Sequence, residues 1–94
     1  ASGQFSTTIK ANSKMTASST FPLEAGESVH FTASYTPDGS VDFGLIDPDG
    51  VFRYFNVTNG KIERTLKVEK NGNYTLQIRN NSSKEIKVSG YVNY

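Results

Sequence analysis

Val29, Phe31, Ala33 and Tyr35 alternate with Ser28, His30, Thr32 and Ser34. This two-residue period lets a β-strand bury one face and wet the other. The same period recurs at Val41, Phe43 and Leu45, at Tyr74, Leu76 and Ile78, and from Ile86 through Val88, Gly90 and Val92 to Tyr94. Reversal signals separate these runs: Pro37-Asp38-Gly39, Asp47-Pro48-Asp49-Gly50, Asn59-Gly60, Asn71-Gly72 and Asn80-Asn81-Ser82-Ser83. Gly and Asn accept the positive φ of tight hairpins, and Pro presets φ at the second turn position. In the second signal, the Asp47 side chain can accept a hydrogen bond from the backbone two residues on. Phe5, Thr7 and Ile9 give a short edge strand, whereas Met15 to Leu23 reads either as a strand or as a loosely ordered lead-in. There is no apolar stripe of helical period. About eight strands with frequent turn signals predict an all-β fold, an antiparallel two-sheet β-sandwich of jelly-roll-like form.

Two segments depart from clean alternation. From Val51 to Val57 both parities are partly apolar, Phe52 and Tyr54 on one and Val51, Phe55 and Val57 on the other. Such a strand is buried at a sheet's centre, shifted by a bulge, or presents aromatics to solvent for a partner. In the next strand Arg64 shares the phase of Ile62 and Leu66, which fits a bulge or a place at the sandwich's open end.

The chain of 94 residues is long enough for one core without a cross-link, and it contains no cysteine. Ala1-Ser2-Gly3 reads as residues left by tag removal, so the domain is expected over 5–94, with 1–4 outside it. Ten Lys and Arg against nine Asp and Glu leave a formal net charge of +1. The dispersed Lys10, Arg79, Lys84 and Lys87 do not build the basic face that nucleic acid requires. No apolar run is long enough to insert into a membrane.

His30 is the single histidine, and its phase points outward beside inward Val29 and Phe31. A nucleophile, a base and an orienting group therefore have little to assemble from, and no enzyme activity or cofactor is expected. Asp47 and Asp49 form a weak calcium candidate, since they lack the longer acidic series of a calcium loop. The glycosylation-type triplets at Asn56, Asn73, Asn80 and Asn81 also suit turns and strand ends. The aromatic supply is the most usable hint. Phe52, Arg53, Tyr54 and Tyr91 fall opposite to, or beside, the inward parity of their strands, and exposed tyrosine with arginine is the composition of protein interfaces.

The block Val41-Asp42-Phe43-Gly44-Leu45-Ile46-Asp47-Pro48-Asp49-Gly50, followed by Gly72-Asn73-Tyr74-Thr75-Leu76-Gln77-Ile78-Arg79-Asn80, resembles the Golgi-dynamics (GOLD) type of β-sandwich and its bacterial extracytoplasmic relatives. Its cadence is also similar to bacterial pre-peptidase C-terminal modules. The resemblance implies a binding or accessory module and carries no catalytic set with it. The resulting expectation is a non-catalytic interaction module of a bacterial envelope or secreted protein with a protein partner. The alternatives are a carbohydrate-binding module using its exposed aromatics and a structural spacer without a ligand.

Overall fold

The computed structural model describes residues 2–94, and Ala1, the first residue of the tag-like run, lies outside the described residues. Among these, nine strands follow in chain order: β1 (Ser2–Ile9), β2 (Lys14–Thr16), β3 (Phe21–Leu23), β4 (Ser28–Thr36), β5 (Val41–Ile46), β6 (Phe52–Val57), β7 (Lys61–Lys67), β8 (Gly72–Asn80) and β9 (Ile86–Asn93). One sheet runs β1-β9-β4-β7 and the other β2-β8-β5-β6, with β3 also paired to β8. Every pairing is antiparallel. The protein is an all-β antiparallel β-sandwich, and no helix among the described residues is long and apolar enough to cross a membrane.

The alternation in sequence becomes the division between core and surface. Val29, Phe31, Ala33 and Tyr35 of β4 and Ile86, Val88 and Val92 of β9 face Val41, Phe43 and Leu45 of β5 and Tyr74, Leu76 and Ile78 of β8 in one buried cluster. Val29 and Phe43 are 0% exposed, Val88 2% and Leu76 8%. The rings of Tyr35 and Phe43 meet across the layers at 5.9 Å between centroids. Full burial of each large side chain contributes about 1.5–3 kcal/mol, so these positions dominate the driving force for folding.

Three local readings resolve. The lead-in from Met15 to Leu23 is two short strands on β8, and Pro22 is accommodated because it lies in an edge segment, where a missing N–H costs no ladder bond. β6 is neither central nor bulged. It is an edge strand with unbroken register from Val41↔Val57 to Ile46↔Phe52, so one of its faces reaches solvent. Arg64 lies in an equally unbroken register on the edge strand β7, at the open side of the sandwich, where its guanidinium covers the Phe55 ring at 4.9 Å. At the chain's start, β1 takes in Ser2, Gly3 and Gln4, and Ser2 pairs with Asn93.

Candidate functional site

The outward parity of the five-stranded sheet brings the chemistry together. Cross-strand rows place Ile46 between Phe52 and Thr75, Gly44 between Tyr54 and Gln77, and Asp42 between Asn56 and Arg79. The Phe52 and Tyr54 rings stack at 4.8 Å between centroids. No side chain rises from Gly44 beside Tyr54, and Arg79 sets its guanidinium 4.9 Å from the Tyr54 ring centre and 5.2 Å from that of Phe52. A guanidinium within about 6 Å of a ring face is held by the ring's quadrupole. Tyr54 is fixed in this way and still 46% exposed.

Asp42 locks the arginine in turn. The Asp42 side chain is 4% exposed, although it belongs to the outward face. It accepts hydrogen bonds from Asn56 Nδ2 at 2.8 Å, Asn81 Nδ2 at 2.9 Å and Arg79 Nε at 2.9 Å, with Arg79 Nη2 at 2.7 Å. Burial pushes the Asp42 carboxyl up, but donation by Asn81, Asn56 and Arg79, together with the charge of Arg79, outweighs it and holds the group below its ordinary value. The hydrogen bond to Asp42 likewise raises Arg79.

Of the four residues singled out from sequence, the fold therefore unites Phe52 and Tyr54. Arg53 points the other way along β6, and its Nε donates to Asp47 Oδ2 at 3.0 Å. Tyr91, 49% exposed, stands on the outward face of the four-stranded sheet between Gln4 and Thr32, in the other layer of the sandwich. Arg79 and Asp42 are the members that sequence reasoning missed. Both were legible as outward positions of their strands, but their pairing across 37 positions leaves no trace in local alternation.

The acidic turn is filled by the chain itself. Asp47 Oδ1 accepts the backbone N–H groups of Asp49 and Val51, each at 2.9 Å, and Oδ2 takes Arg53. Gly50 leaves the turn at φ +85°, the left-handed exit that glycine tolerates. Asp49 pairs with Lys70. Among the described residues no group of three or more His, Asp or Glu converges to hold a metal ion. The Val51 N–H bond lowers the Asp47 carboxyl most, burial opposes it, and the bonds from Arg53 and Asp49 lower it further. Asp47→Ala is expected to lower the melting temperature by several degrees whether or not calcium is present, as scanning calorimetry with and without the ion would record.

Asn80, read from sequence as part of a loop, is 0% exposed and structural. Its Nδ2 donates to the carbonyls of Ile9, Lys10 and Lys84 at 3.3, 3.1 and 2.8 Å, and its Oδ1 accepts from the Ser82 N–H at 3.0 Å. His30 is half-buried, with Nδ1 2.8 Å from the Thr65 hydroxyl.

Comparison with known proteins adds a likeness of fold. No protein-family model matches this chain, and no curated protein does. Among solved structures, it is similar to PliG of Aeromonas hydrophila, described as a periplasmic lysozyme inhibitor of g-type lysozyme. The likeness has a TM-score of 0.65 at 15% identity and covers 97% of this chain and 83% of that one. At that identity the likeness is one of fold.

Proposed function

We propose that this chain is a non-catalytic binding module that works outside the bacterial cytoplasm and takes a protein partner on the aromatic face of its five-stranded sheet. The observation that carries the reading is Tyr54, exposed yet immobilised between Phe52 and Arg79. A tyrosine whose rotamer is already fixed loses little entropy on binding, and such residues with arginine are where interface energy concentrates. The shared fold with a periplasmic enzyme inhibitor supports both the compartment and the class of partner. The resemblance to GOLD-type modules points the same way, and the order β1-β9-β4-β7 over β2-β8-β5-β6 fits jelly-roll wiring, in which consecutive strands are shared between layers.

Carbohydrate binding is the weaker reading. A sugar platform needs a bare ring face, whereas Phe52 and Tyr54 turn faces towards each other and towards Arg79. A ligand-free spacer has no reason to display the pair at all.

The test uses immobilised chain against bacterial envelope extract and against purified lysozymes, with affinity read by interferometry. A saturable protein partner is expected, and Tyr54→Ala should weaken it at least about tenfold, the scale of an interface anchor, with melting unchanged. Failure to retain any protein, or equal affinity in Tyr54→Ala, would overturn the reading. Saturable binding on a glycan array lost in the same variant would replace it by the carbohydrate one.

A further inference from the structure

The sandwich has open edges at both sides, and they are not alike. β7 carries Lys61, Glu63, Arg64 and Lys67, β6 carries Arg53, and the β2–β3 edge is divided into two three-residue strands, one holding Pro22. Charge, proline and shortness are the devices by which proteins keep sheet edges from pairing with other chains. β1 has none of them. Its eight residues, Ser2 to Ile9, include no charge and no proline, and its ladder to β9 runs without a bulge, so a straight row of backbone donors and acceptors faces outward.

The seam beneath that edge is apolar. Phe5 and Phe21 are half-buried, and with Gly3, Ala17 and Leu76 they line a recess of about 190 Å³ between β1 and the opposite layer. The Phe21 ring stacks on Tyr94 at 4.3 Å there, which fixes one wall. A strand added beside β1 would extend the four-stranded sheet and lay its inward side chains over this recess.

From the neutral edge and the apolar seam together, we infer that β1 pairs antiparallel with β1 of a second copy, joining two four-stranded sheets into one continuous sheet. A two-fold contact sets residue i of one copy against residue j of the other and j against i, so a charge at the axis, or two like charges placed evenly about it, would meet their like. β1 avoids this at every register. Its outward Gln4, Ser6 and Thr8 form uncharged cross-strand pairs, and its inward Phe5 brings each copy's apolar edge to the other. Partner recognition at Tyr54 uses the other sheet, so the two proposals stand or fall separately.

Analytical ultracentrifugation over a concentration series tests this with the whole chain. A reversible dimer is expected, and Gln4→Lys with Ser6→Lys, both at exposed positions, should raise its Kd about tenfold or more through like-charge opposition. Thr65→Lys on β7 and Tyr54→Ala on β6 should leave Kd unchanged, and circular dichroism should show every variant folded. A wild-type chain that remains monomeric at millimolar concentration would overturn the inference, as would a dimer indifferent to the β1 lysines.

Discussion

Gly44→Ala is expected to lower the unfolding free energy by about 3 kcal/mol, the upper range for forcing added volume into a packed site. A Cβ at residue 44 would lie 1.9 Å from the Arg53 carbonyl oxygen and 2.6 Å from the Tyr54 Cα. Both are backbone atoms of β6, so no rotamer change relieves the clash and the strand itself must step away. Because β6 pairs only with β5, it can peel off without dismantling the rest. Hydrogen exchange should therefore show Phe52–Val57 losing protection first, with partner binding lost alongside, while β4 and β9 stay protected. Gly90→Ala makes the contrast. Its Cβ would meet the Thr32 carbonyl oxygen at 2.2 Å and the Ala33 Cα at 2.5 Å, between two interior strands, and urea unfolding should shift as one cooperative transition.

The second large effect is expected at Asp42. Breaking a fully buried ion pair costs about 3–5 kcal/mol, because the surviving charge is stranded. Here the Arg79 side chain is 39% exposed and can recover water, so Asp42→Ala should cost about 2 kcal/mol, chiefly from donors left without their acceptor. The same loss frees Arg79 from the Tyr54 ring, so affinity for the partner should fall although Tyr54 is intact. Acid should mimic the substitution. The folded Asp42 carboxyl lies below its ordinary value of 3.8, so the stabilisation it gives is complete above that pH and drains away as pH falls through the folded value. Asp47 shifts in the same direction and adds to the slope. Urea midpoints at pH 7 and pH 3 should therefore differ more in the wild type than in Asp42→Ala.

Much of the fold was legible because period-two alternation is a local property. Val29, Phe43, Leu76 and Val88 lie in the core where their parity placed them, and the Asp47 turn has the hydrogen bond its sequence promised. What parity cannot convey is which strand lies next to which. The fate of Val51–Val57 depended on β6 being an edge, and three arrangements were compatible with its residues until the sheet order was known. The same blindness set Phe52, Arg53, Tyr54 and Tyr91 together as one aromatic–basic candidate, although adjacent residues on a strand face opposite ways and Tyr91 belongs to the other sheet. The burial of Asp42 left no local signal because its donors, Asn56, Arg79 and Asn81, arrive from β6, β8 and the loop after it. Asn80 was hidden for the same reason, its side chain reaching back to Ile9 across 71 positions.

The pairing of Ser2 with Asn93 sets both ends of the described chain side by side on neighbouring strands of opposite direction. Tension applied through those two points would load the rungs between β1 and β9 one after another, like a zipper opened from its tab, instead of shearing them all together. Pulled at Ser2 and Asn93, the sandwich should therefore yield at low force.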